Sequence, residues 1–447
     1  MKKTGTLTLF FIVIQFVSLA QQSALSLSNY KSYPFPNELT ASVQGSKIAW
    51  ALNEQGKRNV YVAEGPDFKP RKLTNYTLDD GQEITSLSIS NNGQWVVYVR
   101  GGDHGSNWDD ELPVNPTYSS TPIKVQIYSI PFAGGEPKSL SEGDSPVISP
   151  KNDWVTFIKS NQAWSVPIDG SAAAKNLFTT RGTVGSLKWS PDGSKIAFSV
   201  NRTDHSFIGI FTNAESPIQW ISPSYSHDGS PRWSPDGTRI AFIRTPGSGG
   251  APDSILMRRH RAWSIWTADL KSGIGNQLWK APETLAGSYP TTHGETNLHW
   301  AAGDRIVFLS YQDGWPHLYS VPSSGGVPLL LTPGSFMAEH IKLSADGKWL
   351  TFSANTGPDK SDLDRRHVVR VPVDRAAPEV MTPGPGLEWT PVITGDGTTM
   401  ACISATATRP PLPATLTLGP NSSLKLIAQS LLAGYPEKNL VTPKKVT

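Results

Sequence analysis

Short segments with alternating apolar and polar residues recur along the chain, paired across turns rich in Ser, Pro, Asp and Gly. Two copies are nearly identical, W-S-P-D-G-S-K-I-A-F at 189–198 and W-S-P-D-G-T-R-I-A-F at 233–242. In each turn, Pro presets φ at the second position and Gly takes the positive φ that other residues resist. The next strand alternates, with Ile196 and Phe198 on one face and Ala197 on the other. Each copy therefore predicts a β-hairpin.

Looser copies of this hairpin extend over the rest of the sequence, and a third short strand, such as N-V-Y-V at 59–62, often follows. The central apolar residues of the copies are Ile48, Val96, Val155, Ile196, Ile240, Ile306, Leu350 and Met400. A period of about 40–50 residues with four short strands is typical of a β-propeller blade. The pattern predicts an all-β propeller of four-stranded antiparallel blades. Eight blades are expected, or seven if the weak first copy only completes another blade.

The first twenty residues differ from the rest. Lys2 and Lys3 precede an apolar stretch, 7–20, that ends in the small residues typical of a cleavage site. The stretch is too short for a comfortable membrane crossing, and no cysteine follows it to carry a lipid anchor. We therefore predict a signal peptide at 1–20, a periplasmic or secreted mature protein, and no membrane span after cleavage.

Charge and cysteine content exclude several functional classes. The chain has 40 basic and 37 acidic side chains, so it offers no broad electrostatic attraction to nucleic acid or anionic lipid. Its single cysteine, Cys402, excludes an intramolecular disulfide and zinc-ribbon or thioredoxin-like sites. The fifteen tryptophans fit the packing of blade against blade better than a ligand platform.

The W-S-P-D-G hairpins resemble the WD40-like repeats of TolB-type propellers. They also resemble the propellers that precede the hydrolase domain in prolyl-oligopeptidase-clan serine peptidases, the dipeptidyl-peptidase and acylaminoacyl-peptidase relatives. The segments 311–319 and 98–103 resemble more particularly the bacterial members, and 433–443 resembles the linker before their hydrolase domain. The resemblance implies a propeller at 21–425 and a linker at 426–447, leading to a C-terminal α/β-hydrolase domain that these residues do not contain.

What the resemblance implies about function is a non-catalytic propeller that gates and selects peptide substrates for that hydrolase domain, its main partner. The alternatives are a stand-alone TolB-like scaffold that binds envelope proteins, and a propeller enzyme with carboxylates or metal ligands in its channel. Dipeptidyl-peptidase relatives bind the substrate amino terminus with paired glutamates, but no two glutamates are adjacent here. The choice between exopeptidase and endopeptidase therefore stays open.

Candidate chemistry is sparse. The G-x-S-x-G pentapeptide of a serine hydrolase is absent, so no catalytic residue is assigned, and G-S-G-G at 247–250 is interpreted as a spacer. The run H-G-E-T-N-L-H at 293–299 lacks the H-E-x-x-H spacing and is interpreted as a loop. No metal or cofactor is expected. An acidic insertion around 103–111 is interpreted as a solvated loop, with Ca²⁺ binding as the alternative.

The candidate contacts to a substrate or partner domain lie in two long insertions, because propeller insertions project from the blade ends where loops carry function. They are Arg100, Asp103 and His104 in the first insertion, and Arg258, Arg259, His260 and Arg261 in the second. Arginine forks bind carboxylates in bidentate fashion, so the second group suits a substrate carboxylate or an acidic protein face. An exposed basic loop without a partner is the alternative.

Overall fold

The computed structural model describes residues 26–101, 124–248, 258–291, 296–359, 363–419 and 422–444. Over these ranges the chain forms 32 β-strands in eight successive groups of four, and within each group consecutive strands pair antiparallel. The prediction of an all-β propeller with eight four-stranded blades is confirmed. The seven-blade alternative is wrong, because the weak first hairpin pairs with its own flanking strands as a complete blade.

Blade 1 contains β1 (Phe35–Ala41), β2 (Lys47–Glu54), β3 (Lys57–Glu64) and β4 (Arg71–Lys72). Blade 2 contains β5 (Ile84–Ile89), β6 (Trp95–Arg100), β7 (Gln126–Pro131) and β8 (Lys138–Glu142). Blade 3 contains β9 (Asp144–Ile148), β10 (Trp154–Lys159), β11 (Gln162–Pro167) and β12 (Lys175–Phe178). Blade 4 contains β13 (Thr183–Trp189), β14 (Ile196–Asn201), β15 (Ser206–Phe211) and β16 (Gln219–Ile221).

Blade 5 contains β17 (Ser226–Trp233), β18 (Arg239–Pro246), β19 (Ser264–Asp269) and β20 (Gly275–Lys280). Blade 6 contains β21 (His299–Ala301), β22 (Arg305–Ser310), β23 (His317–Pro322) and β24 (Leu329–Leu330). Blade 7 contains β25 (Ala338–Leu343), β26 (Trp349–Ala354), β27 (His367–Pro372) and β28 (Glu379–Val380). Blade 8 contains β29 (Leu387–Ile393), β30 (Thr399–Ala405), β31 (Leu412–Thr417) and β32 (Lys425–Leu426).

Helical structure is confined to short segments at the two ends of the described chain. A four-residue α1 (Leu27–Tyr30) precedes blade 1, and two 3₁₀ turns, Gln429–Leu432 and Glu437–Asn439, follow blade 8. None of the helices in the described ranges has the length and apolar character needed to cross a membrane. The signal peptide at 1–20 lies outside the described residues. The divisions of the chain at 20 and 425 stay predictions.

The ring closes where blade 8 meets blade 1. Leu39 and Trp50 of blade 1 share an apolar cluster with Val392 and Ile403 of blade 8. Every blade is built from strands consecutive in sequence, so the first and last blades are joined by side-chain packing and not by a shared strand. A backbone bond adds to this packing, from the N–H of Asp396 in blade 8 to the carbonyl of Gly45 in blade 1 at 3.0 Å.

The hairpin turns have the geometry that the repeat predicts. In blade 4, Gly193 has a φ of 70°, and the Ser190 hydroxyl donates to Asp192 Oδ1 at 2.6 Å. Ser190 Oγ also accepts the backbone N–H of Lys195 at 2.9 Å. The same bonds recur in blade 5, where Ser234 donates to the carboxylate of Asp236 and accepts the next strand's N–H. Local side-chain chemistry therefore fixes these two turns.

The repeat tryptophans link neighbouring blades. The Trp233 indole N–H donates to the carbonyl of Lys188 in blade 4 at 3.0 Å, and that of Trp189 donates to the carbonyl of Val147 in blade 3 at 3.4 Å. The aromatic residues at the centres of the second strands, such as Trp50, are fully buried. The interpretation of the aromatic residues as core is confirmed for these positions.

Candidate functional site

The first strand of each blade lies innermost, because the first strands of neighbouring blades contact one another around the ring. Each of these segments carries one non-glycine residue with positive φ, here called the bulge residue. The bulge residues are Glu38, Ser86, Ser145, Ser186, Ser230, Asn297, His340 and Thr390, with φ between 42° and 54°. In seven of the described blades the pairing with the second strand shifts register at this point. Bulges of this kind redirect side chains, and here they do so at the wall of the central channel.

The side chain two residues after the bulge residue changes character around the ring. In blades 8, 1, 2 and 3 it is neutral: Val392, Thr40, Ser88 and Val147. In blades 4 to 7 it is basic or imidazole: Lys188, Arg232, His299 and Lys342, here called the basic half-ring. The basic side chains are therefore confined to four successive blades, whereas in blade 8 the equivalent Val392 packs in the apolar closure cluster.

Side chains of the basic half-ring reach into the channel. Lys188 belongs to blade 4 and Lys342 to blade 7, so blades 5 and 6 lie between them. The charge of Lys342 nevertheless acts on Lys188. Side chains so far apart along the ring interact only across its centre. Lys188 and Lys342 are solvent-exposed, whereas Arg232 and His299 are half-buried. Water therefore reaches a site that protein surrounds on most sides.

These surroundings shift the ionisation of the site. Burial among protein atoms, with the charges of Arg232 and Lys342, lowers the pKa of Lys188 to about 8. Burial and the three neighbouring cations lower the pKa of His299 to about 3. Burial also lowers the pKa of Arg232, although a guanidinium keeps its charge in proteins. At neutral pH the site thus holds three cations and a neutral imidazole.

Hydrogen bonds position two members of the basic half-ring. The Arg232 Nε–H donates to the carbonyl of Leu298 in blade 6 at 2.6 Å, and Nη1 donates to the carbonyl of Pro231 at 2.9 Å. His299 Nε2 lies 2.8 Å from Asn297 Oδ1. Since that oxygen can only accept, Nε2 carries the proton and Nδ1 is left as an acceptor.

The cations of the site have no carboxylate partner in the described parts of the chain, where Lys188, Arg232 and Lys342 form no ion pair. The carboxylates on the same inner strands are engaged by other groups. Asp228 pairs with Arg244, Glu339 with Arg366, Glu388 accepts from Ser404, and Glu38 accepts the N–H of Leu87. The positive charge in the channel is therefore not neutralised by the protein itself.

Arg100, one of the residues predicted from the sequence, lies at the end of β6 and is engaged within the protein. Its Nη2 lies 2.6 Å from Asp80 Oδ2, and its guanidinium stacks 4.0 Å from the ring centre of Tyr76. The Tyr76 hydroxyl in turn bonds that of Tyr98 at 2.7 Å. These contacts hold a loop of blade 1 against blade 2. Its role as a substrate contact stays a prediction.

The other predicted contacts fall in or beside the two insertions. Asp103 and His104, with the acidic insertion, lie outside the described residues. Arg258 and Arg261 are exposed in the segment before β19, and His260 is half-buried there, with no hydrogen-bond partner for Nε2 among the described residues. The backbone N–H of Arg261 donates to Ser288 Oγ at 3.1 Å. The structure leaves the predicted role of Arg258, Arg259, His260 and Arg261 open.

One serine–histidine contact invites comparison with a hydrolase. Ser248 Oγ lies 2.9 Å from His227 Nε2 at an exposed blade end. The adjacent carboxylate, Asp228, is bonded to Arg244 at 2.7 Å and does not orient the imidazole. A serine nucleophile needs such an orienting group and an oxyanion hole. The pair is therefore a surface contact.

In the described ranges, no three His, Cys, Asp or Glu side chains are placed to hold a metal ion.

The interpretation of 293–299 as a loop is wrong at its end. His299 begins β21 and forms part of the channel wall. Sequence reasoning did not identify the basic half-ring. The sequence does carry a signal for it. In four successive copies of the hairpin motif, the residue just before the motif is Lys, Arg or His.

Comparison with known proteins shows the fold. No protein-family model and no curated protein sequence matches the chain. It is similar to the crystal structure of dipeptidyl peptidase 4 from Porphyromonas gingivalis, with 12% identity and a TM-score of 0.59. That similarity covers 89% of this chain and 61% of the other, so this chain spans less than two thirds of that peptidase.

Two other solved structures are similar at lower scores. The β-propeller domain of the Trilobed protease from Pyrococcus furiosus has 13% identity and a TM-score of 0.48, over 77% of this chain and 97% of that one. A putative TolB from Agrobacterium tumefaciens has 20% identity and a TM-score of 0.35, over 56% and 83%.

Proposed function

We propose that this chain is the non-catalytic propeller of an exported serine peptidase, in which it gates and selects peptides for an α/β-hydrolase domain. One observation carries the proposal: the structural similarity to dipeptidyl peptidase 4. It covers 89% of this chain but only 61% of that peptidase. The segment 433–443, which resembles a linker to a hydrolase domain, supports the same assignment. The signal-like segment at 1–20 supports a periplasmic or secreted location.

The physical basis of gating is steric. The inner strands surround a channel whose wall carries solvent-exposed polar side chains, among them Ser86, Ser186 and Lys188. An extended peptide needs little more width than one strand. A folded domain of 100 residues has a radius of gyration of roughly 13 Å and is excluded by a closed ring. The propeller thereby protects folded proteins from the hydrolase while short peptides pass.

The test is the nucleotide sequence that follows the Thr447 codon in the gene. We expect an open frame that adds a domain of roughly 200–250 residues, with G-x-S-x-G followed in order by Asp and His. A stop codon directly after Thr447 would contradict the proposal and favour a scaffold that binds other envelope proteins.

A further inference from the structure

We infer that the basic half-ring is a binding site for carboxylates and that it makes the channel selective for peptides rich in Asp or Glu. This inference rests on the proposed function, because it assigns a substrate class to the peptides that enter the channel. It concerns Lys188, Arg232, His299 and Lys342, which lie on four successive blades.

The fold itself does not require basic residues at these positions. The equivalent positions of the other four blades hold Val392, Thr40, Ser88 and Val147, and those blades form the same strands and the same bulge. Small neutral side chains therefore satisfy the architecture. The basic residues of blades 4 to 7 need an explanation outside packing.

The arrangement is also unfavourable for the protein alone. Burial disfavours the charged form of Lys188, and the nearby like charges of Arg232 and Lys342 add repulsion, so both lower its pKa. In the described ranges no carboxylate of the protein relieves it. Functional sites commonly keep such destabilising groups because the ligand supplies the missing charge.

The chemistry of the site suits carboxylates on an extended chain. Lysine ammonium groups donate charge-assisted hydrogen bonds to carboxylate oxygens, and Arg232, whose Nε and Nη1 bond backbone carbonyls, adds its charge and its Nη2 donor. The unprotonated Nδ1 of neutral His299 can accept an N–H from the same ligand. Nucleic acid binding rests on many phosphate contacts, and the basic half-ring supplies only three cations. An acidic peptide matches the sign of the site.

The experiment measures peptide binding to the whole chain by titration calorimetry at low ionic strength. The probes are an acetylated and amidated octapeptide of alternating Glu and Ala, and its Gln counterpart. A third probe, the Gln peptide with a free C-terminal carboxylate, separates side-chain carboxylates from the chain terminus. We expect the Glu peptide to bind about tenfold or more tightly than the amidated Gln peptide, and added salt to weaken it.

Two double variants with the same loss of charge identify the site. Lys188→Gln with Lys342→Gln removes both channel ammonium groups. Lys151→Gln with Lys271→Gln removes two exposed lysines from turns of blades 3 and 5. We expect the first pair to weaken Glu-peptide binding about tenfold or more, and the second pair to change it less than about twofold. Thermal unfolding of each variant verifies folding, and the channel variant is expected to be at least as stable as the parent.

The outcomes separate this inference from the proposed function. If Glu and Gln peptides bind equally well and neither double variant matters, the channel takes peptides without regard to charge and only this inference fails. If the turn variant weakens binding as much as the channel variant, the effect is one of net charge and the inference also fails. If none of the three peptides binds, peptide selection by the propeller fails, and this inference fails with it.

Discussion

The ammonium group of Lys188 lies near charged groups from two other blades, Arg232 of blade 5 and Lys342 of blade 7. Burial, followed by the charges of Arg232 and Lys342, lowers its pKa to about 8, while His299 stays neutral. The bulge residue His340 lies beside Lys342, and Glu38 stands on the blade 1 wall, with its carboxylate bonded to a backbone N–H. The pKa of Lys188 is therefore low, and a bound anion would raise it.

This predicts a pH dependence of acidic-peptide binding. Below pH 8, Lys188 is charged with or without ligand, so the affinity should be flat from about pH 6.5 to 7.5. Above pH 8 the free protein loses this proton, and binding must recover it. The affinity should then fall by up to about tenfold per pH unit, because an anion raises the pKa of Lys188 in the complex.

Calorimetry of the Glu octapeptide between pH 6.5 and 10 measures this slope, and heats in buffers of different ionisation enthalpy report the proton uptake. The variant Lys188→Gln should bind more weakly at pH 7 and lose most of the slope above pH 8. An equal slope in the parent and in Lys188→Gln would assign the titration to another group.

At the scale of the hairpin, a buried serine organises the turn of blade 4. Ser190 is 2% exposed, and it donates to the Asp192 carboxylate while accepting the backbone N–H of Lys195. These bonds hold the pKa of Asp192 well below its usual range, with the Ser190 hydroxyl as the largest cause. A carboxyl with a lowered pKa stabilises the fold above its unfolded-state pKa and loses that contribution as the pH falls through the folded-state value.

We predict that Ser190→Ala lowers the free energy of unfolding by about 1–2 kcal/mol, since a buried acceptor and a charge-assisted bond are lost together. Urea unfolding at pH 7 measures it as a lower midpoint with an unchanged slope. Ser216→Ala is the matched control, because Ser216 is exposed and its hydroxyl makes no hydrogen bond within the described residues. The difference between parent and Ser190→Ala should shrink below pH 4 as Asp192 protonates. A loss that is independent of pH would mean that the serine acts by packing alone.

The hairpins could be predicted because their information is local. Pro, Asp and Gly within five residues specify a turn, and the alternation after Lys195 specifies the strand. The position of Lys188 across the channel from Lys342 could not be predicted, because it depends on how blades 4 and 7 are arranged around the ring. The two residues are 154 positions apart in sequence. The bulge at Ser186 was equally hidden, since a serine at positive φ has no distinctive sequence signal.

At the scale of the whole molecule, the ring determines what can reach the channel. Blades 1 and 8 are joined by a buried cluster that includes Trp50 and Ile403, and no strand is shared across the closure. Blades 4 and 5 are also linked by a parallel backbone pairing between Ser206 and His227. A continuous ring of packed blades leaves the blade ends as the openings of the channel. Whether a peptide can enter the channel therefore depends on the shape in which it reaches these openings.

This predicts discrimination between free peptides and peptides held in a folded protein. The alternating Glu and Ala segment is presented in three forms: as a free octapeptide, as a flexible extension at the end of a small folded domain, and as a constrained loop within the same domain. An end can be threaded into the channel, but a loop tied at both sides cannot pass the inner strands. Titration against the chain should give similar affinities for the first two forms. The loop should bind at least about tenfold more weakly, because the loss of a single charge-assisted bond already corresponds to one order of magnitude in affinity. Equal binding of all three would place the peptide on an outer face of the propeller, and the molecule would then act as a docking scaffold.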